Sequence, residues 1–265
     1  MSPTLVKINT KQPVSFYVEE SAEDFYGKTF WNNVQAGLYE QNQISDIVLT
    51  LSRAKKIPNF IDIGSSCGLY SLIAGSLGLE VLSVEPDINQ FKALTANLKL
   101  NPQFKIKGVR AIIIGDNDFK LSSYALDLNN NNLTKVLKIS IDSLLEGFTN
   151  ILIKCDIEGG EWAILRSKKF KQKVKSCEHL DIFLSIHIGF FSHNYNKNYL
   201  CKTIYRINYL RELFTLLGFA MSADKIFYGG LEIKPWALLR LDRIFGGGGF
   251  TEHLHLVFRN DLRVS

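Results

Sequence analysis

Four cysteines in 265 residues, none of them in a C-x-x-C pair, leave this chain without the spacing of a zinc site or a disulfide framework. Cys67, Cys155, Cys177 and Cys201 are scattered singly, which suits a reducing compartment and points to the cytoplasm. No run of about 18 apolar residues occurs, so no transmembrane segment is expected. Glu19, Glu20, Glu23 and Asp24 lie too near the N-terminus for a signal peptide. A basic stripe with interleaved aromatics is missing too. The net charge of +5 is mild, and much of it falls in Lys168, Lys169, Lys171, Lys173 and Lys175, a pattern of a solvated helix end and loop. Nucleic acid is therefore not an expected partner. Internal repeats and an obvious interdomain linker are also lacking. So is the dinucleotide fingerprint G-x-G-x-x-G: Ser66 and Leu69 stand where its second and third glycines belong, which disfavours a nicotinamide-dependent oxidoreductase.

What is present begins with Asn59-Phe60-Ile61-Asp62-Ile63-Gly64-Ser65-Ser66-Cys67-Gly68-Leu69-Tyr70-Ser71. An apolar run ends in an acid, a glycine-punctuated turn follows, and a helical apolar pattern then starts. That order reads as strand, tight loop and helix N-terminus, where backbone N–H groups can approach a ligand closely. The next strand-like segment, Glu80 to Val84, ends in Glu85, roughly 20 residues beyond Asp62, where a carboxylate can accept from both hydroxyls of a ribose. The looser acid-x-G-x-x-x-G pattern of Asp62, Gly64 and Gly68 fits the loop of S-adenosylmethionine-dependent methyltransferases, whose cofactor has no pyrophosphate and needs fewer glycines.

Along the rest of the chain, the first 25 or so residues show only short alternation. Phe30, Trp31, Val34, Leu38, Ile44, Ile47, Val48 and Leu51 recur at helical spacing and predict two helices. Helices are also expected over 69–77, stopped by Gly78, over 87–100, capped by Asp87, and over 207–217, stopped by Gly218. Strands are expected at 105–114, 150–155, 181–186, 219–227 and 254–258, with a hairpin-like insertion at 119–141. Strands alternating with helices predict an α/β, doubly wound, mostly parallel sheet of seven strands under an N-terminal helical cap. The expected division is 1–52 for the N-terminal extension and cap and 53–265 for a single ligand-binding domain. Ligands in such folds bind beyond the carboxyl ends of the strands, where Asp62, Glu85, Asp116, Asp156, Glu158 and His187 are all predicted.

Three blocks together carry a resemblance: Ile61-Asp62-Ile63-Gly64…Gly68-Leu69-Tyr70-Ser71, then Val84-Glu85-Pro86, then Lys154-Cys155-Asp156-Ile157-Glu158-Gly159-Gly160-Glu161. With Gly37-Leu38-Tyr39-Glu40, Asn97…Asn101 and Ile141-Asp142-Ser143-Leu144, they resemble the FkbM family of S-adenosylmethionine-dependent O-methyltransferases over roughly residues 37 to 190. The K-x-D-x-E-G-x-E string is the most specific piece. The family pattern usually has Ala-Asn where this chain has Ser65-Ser66. The resemblance implies a class I, Rossmann-like methyltransferase fold and methylation of a hydroxyl, often on a sugar of a glycan, polysaccharide or glycosylated metabolite.

The cofactor-binding residues expected on this reading are Glu40, Asp62, Gly64, Ser66, Gly68, Glu85, Asp116 and Asp156. Methyl transfer is an in-line displacement at a sulfonium methyl, so holding the reactants in line supplies much of the catalysis. A hydroxyl acceptor gains from a positioned base, worth about 10²–10⁴-fold. His187, Asp156 and Glu158 are the catalytic candidates. The same three make a two-carboxylate, one-histidine set for a divalent metal, a reading not favoured because paired acids also suit a cationic cofactor. Glu161 reads equally well as an acid at a helix N-terminus, and His193 is a lesser candidate. Phe190, Phe191, Tyr195, Tyr199 and Trp236 are possible stacking surfaces for a sugar ring. The acceptor expected is a saccharide or another hydroxyl-bearing molecule, and a homo-oligomer is compatible with the sequence. The alternatives are a non-catalytic binding or scaffold module of the same fold, and a methyltransferase for a non-sugar small molecule.

Overall fold

The computed structural model describes residues 3–19, 27–53, 59–116, 136–157, 160–185, 199–239 and 253–259, the side chains of 199–209 aside. The chain divides into two compact units, residues 1–112 with 150–154, and residues 113–149 with 155–265.

The first unit opens with a hairpin, β1 (Thr4–Ile8) against β2 (Val14–Val18), in antiparallel register from Thr4↔Val18 to Ile8↔Val14. The short alternation of the N-terminal residues is thus strand periodicity: Val6, Ile8, Val14, Phe16 and Val18 point inward. Two helices follow as expected, α1 (Lys28–Gln35) and α2 (Gln41–Arg53). Trp31 is fully buried, with Phe16 and Phe30 edge-on to it at 6.1 and 4.8 Å. Then come β3 (Asn59–Ile63), α3 (Leu69–Ser76), β4 (Glu80–Val84), α4 (Ile88–Lys99) and β5 (Ile106–Val109). Asp87 caps α4 as its position predicts, its side chain accepting from Asn89 N and Gln90 N at 2.9 Å each. The strands of this unit lie in the order β8-β3-β4-β5, where β8 is Asn150–Cys155. β3 pairs β4 and β4 pairs β5 in parallel.

Asn97 and Asn101, noted only as motif echoes, are what fasten the hairpin. Asn97 Oδ1 accepts from Glu19 N, and Asn101 both accepts from Tyr17 N and donates to Tyr17 O. Both side chains are buried. The Asn97 amide also donates to Cys67 O at 2.9 Å, so one residue joins the N-terminal hairpin to the glycine loop.

The strand expected over 105–114 is two strands, β5 and β6 (Ala111–Ile114), and β6 pairs with β7 (Leu137–Ser140) in a separate two-stranded sheet. Residues 119–128 of the expected insertion lie outside the described residues. After β7 come α5 (Ile141–Leu144), α6 (Glu161–Arg166), α7 (Lys168–Ser176), β9 (His179–Leu184) and α8 (Tyr199–Ala220). Gly218 does not stop α8: Met221 N still bonds to Leu217 O at 2.8 Å, and the strand expected from 219 begins only at Lys225. A glycine costs a helix about 1 kcal/mol, which burial of Leu213, Leu216, Phe219 and Ala220 around it offsets. β10 (Lys225–Tyr228), β11 (Leu231–Glu232), a 3₁₀ turn (Pro235–Leu239) and β12 (Leu254–Arg259) complete the unit. Its strands run β11-β10-β12-β9, antiparallel throughout. Among the described residues these four strands and the series β8-β3-β4-β5 make eight, one more than the expected seven, the extra one being the two-residue β11. Phe219 stacks on Phe170 at 5.7 Å and lies edge-on to Phe258 at 5.6 Å in its core.

Candidate active site

The loop between β3 and α3 is built from backbone conformations that few residues accept. Gly64 has φ 76°, Ser66 φ 51° and Gly68 φ 93°. A Cβ on Gly68 would stand 2.6 Å from Leu94 Cδ1 of α4, so a side chain there would displace that leucine, and the positive φ itself favours glycine. Ser66 occupies the left-handed region where asparagine is the easier residue, which gives a physical reason for the Asn usual at that place in the family pattern. The turn is tied to β4: Gly64 N and Ser65 N both donate to Val84 O, at 2.9 and 3.1 Å.

Glu85, at the tip of β4, closes the loop from the other side. Ser66 N donates to its Oε2 and Asp87 N to its Oε1, both at 2.8 Å. The residue is 4% exposed. Burial pushes its carboxyl up to about 7, and the nearby charges of Asp87 and Asp62 push the same way against the two amide donors.

Asp62 is fully buried at the end of β3, where Ser71 Oγ donates to its Oδ2 and Ser83 Oγ donates to Ser71 Oγ, each at 2.6 Å. This serine pair links β3, α3 and β4 beneath the loop, and sequence reading missed it. The signal was a lone polar residue, Ser71, inside the otherwise apolar start of α3. Cys67 beside it is buried, and burial pushes its thiol up to about 12, so it stays protonated and unreactive. The Ser65 hydroxyl is buried without a hydrogen-bond partner. Glu40 is exposed, and the hydroxyl of Tyr70, in the first turn of α3, donates to its Oε2.

The second unit holds the remaining candidates. Asp116 accepts from Ser167 Oγ at 2.7 Å and from Lys168 N at 2.6 Å, which places it at the N-terminus of α7 and lowers its pKa. Asp156 is half-buried just past β8, whose last residue, Cys155, accepts from Ser185 N at 3.0 Å. Glu161 is buried, and its carboxylate accepts from Ile157 N at 2.9 Å, closing the turn ahead of α6. Glu158 and His187 lie outside the described residues, as do His193, Phe190, Phe191, Tyr195 and the side chain of Tyr199. Trp236 is 67% exposed. Among the described residues no group of three or more His, Cys, Asp or Glu could hold a metal ion, and no helix is long and apolar enough to cross a membrane.

A family model described as the methyltransferase FkbM domain matches residues 62–213, from the buried aspartate of the loop into α8. The chain belongs to the FkbM methyltransferase family. It is therefore an enzyme that depends on S-adenosylmethionine, and its α/β architecture is the class I, Rossmann-like methyltransferase fold. The match starts later and ends later than the resemblance of residues 37 to 190, so Glu40 stands ahead of the matched segment. No curated protein matches this FkbM methyltransferase. Similar solved structures include the human methyltransferase 10 domain containing protein, 17% identical over 80% of this chain and 77% of that one, TM-score 0.38. An S-adenosylmethionine-dependent methyltransferase from Agrobacterium tumefaciens is 14% identical over 93% and 68%, TM-score 0.39. The bifunctional kinase-methyltransferase WbdD is 12% identical over 92% and 44%, TM-score 0.45.

Proposed function

We propose that this FkbM methyltransferase transfers the methyl group to a hydroxyl, that of a sugar in a glycan, polysaccharide or glycosylated metabolite. The observation that carries the cofactor part is the double anchoring of Glu85 by Ser66 N and Asp87 N. Each oxygen accepts one backbone N–H, which fixes the plane of the carboxylate and leaves further lone pairs for a ribose diol. Gly64 and Gly68 put no side chain in the loop, and the Ser66 hydroxyl is buried. Asp62, held by Ser71, is a buried carboxyl on the strand that leads into the loop.

When bound, the cofactor supplies an electrophilic sulfonium methyl. The residues of this chain then have two tasks: to hold the acceptor oxygen in line and to remove its proton. His187, Asp156 and Glu158 are the proposed proton acceptors. Asp116 is left out of the proposed cofactor set because its carboxylate is engaged at the N-terminus of α7. The sugar reading rests on family membership and on the acceptor class that the motifs imply. Labelled methyl transfer to nucleotide sugars, glycolipids and cell-surface oligosaccharides, with and without chelator, tests it. Incorporation into a saccharide, lost in His187→Ala or Asp156→Asn, is the expected result. Turnover confined to acceptors without sugars would overturn it.

A further inference from the structure

Behind Glu40 stand two side chains of the first unit, Tyr70 and Lys154. Glu40 has φ 43°, a left-handed conformation that non-glycine residues keep only where their surroundings hold them. Its carbonyl starts α2, accepting from Ile44 N at 2.9 Å. Its exposed side chain is nonetheless fixed, since the Tyr70 hydroxyl donates to Oε2 at 2.5 Å. Tyr70 is 5% exposed and follows Gly68 by two residues, so it leaves the glycine loop directly. The ammonium of Lys154, itself 4% exposed at the end of β8, lies 4.7 Å from the centre of the Tyr70 ring.

We infer that Tyr70, backed by Lys154, is a positioning residue that presents the Glu40 carboxylate to the α-ammonium of the cofactor's amino-acid end. The inference rests on the cofactor reading above. A glutamate on the surface spends most of its time in other rotamers, and ordering it on binding weakens affinity. A hydrogen bond already in place removes that cost, and it takes only one of about four lone-pair sites on the carboxylate. The cation on the ring face draws electron density from the phenol and makes its O–H a stronger donor. A fixed anion beside the loop selects for the positive end of a zwitterion, so the device acts on the amino group and leaves adenosine recognition to Glu85.

Titration calorimetry with three probes tests this: S-adenosylhomocysteine, its deaminated analogue, and 5′-methylthioadenosine. Wild type is expected to prefer S-adenosylhomocysteine to the deaminated analogue by about tenfold, the worth of one hydrogen bond to a charged group. Tyr70→Phe, which keeps the ring under Lys154, is expected to erase most of that preference while leaving 5′-methylthioadenosine binding unchanged. Glu40→Gln, an exposed change that the fold tolerates, is expected to do the same, and it supplies the reading should Tyr70→Phe fail to fold. Lys154→Met is expected to show a smaller loss in the same ratio. A preference unchanged in Glu40→Gln, or in a folded Tyr70→Phe, overturns the inference. Wild type that binds none of the three probes ends the cofactor reading and this inference with it.

Discussion

Glu85 and Asp181 are both carboxylates closed off from solvent in strand regions, and they titrate in opposite directions. Glu85 has two neutral backbone donors and is raised to about 7 by burial. Asp181, on β9, feels the same burial, yet it is held well below the ordinary carboxylate range. His179 Nε2 and His255 Nε2 lie 2.8 and 2.9 Å from its two oxygens, and Arg259 Nη2 adds a third contact at 3.3 Å. His255 is itself pinned, stacked on Phe183 at 4.1 Å. At Glu85 the two amide donors do not offset burial, whereas at Asp181 the hydrogen bonds from His179 and His255, with the charge of Arg259 nearby, more than offset it. Asp181 is thus complete within its own unit, while Glu85 is left wanting further donors. That difference is one of partners: side chains from β9 and β12 around Asp181, backbone amides alone around Glu85.

The comparison breaks most readily at Asp181. Asp181→Ala leaves two histidines and an arginine facing an empty place and is expected to cost about 3 kcal/mol, read as a lower denaturant midpoint. A loss below about 0.5 kcal/mol would mean that solvent takes over the partners and that the cluster is ornamental. Next in size is the pH dependence of Glu85. Its folded pKa is raised, so its favourable contribution is full below the unfolded value, near 4.5, and fades as pH rises through about 7. Glu85→Gln does not titrate, and it loses one of the two N–H acceptors. The variant should therefore be less stable than wild type at pH 5 and recover relative to it by pH 8, a swing on the order of 3 kcal/mol. A difference that stays flat across that window refutes the raised pKa. For the same reason S-adenosylhomocysteine should bind wild type more tightly at pH 8 than at pH 6, since hydroxyl donors favour the ionised form. The smallest effect belongs to Asp116. Asp116→Ala removes the acceptor of Ser167 Oγ and Lys168 N, and it is expected to weaken the N-terminus of α7 by about 1 kcal/mol and to leave nucleoside affinity unchanged. A tenfold loss of affinity would return Asp116 to the adenine.

Much of the first unit was legible in the residues. A strand, a glycine turn and a helix start leave strong local marks, and Asp62, Gly64, Gly68 and Glu85 sit where the pattern puts them. The N-terminal hairpin was less legible, because two five-residue strands give alternation too brief to separate from chance; Asn97 and Asn101, far along the chain, stabilise it. Gly218 misled because a helix stop is a local rule, and packing of Leu213, Leu216 and Phe219 overrode it. The acids named from the sequence have different neighbours in the folded chain. Asp116 accepts at the N-terminus of α7, Glu161 closes a turn, and Asp62 accepts from Ser71, which in turn accepts from Ser83.

By itself the sequence determined the succession of elements, the conformations its glycines permit and the acid that ends β4, since each depends on residues within a few positions of one another. Only the tertiary structure decided which carboxylates meet cations and which meet amides. It also decided that Tyr70 and Lys154 stand behind Glu40. Charge state and side-chain support come from neighbours many residues away, whose dielectric and hydrogen bonds exist only once the chain has folded.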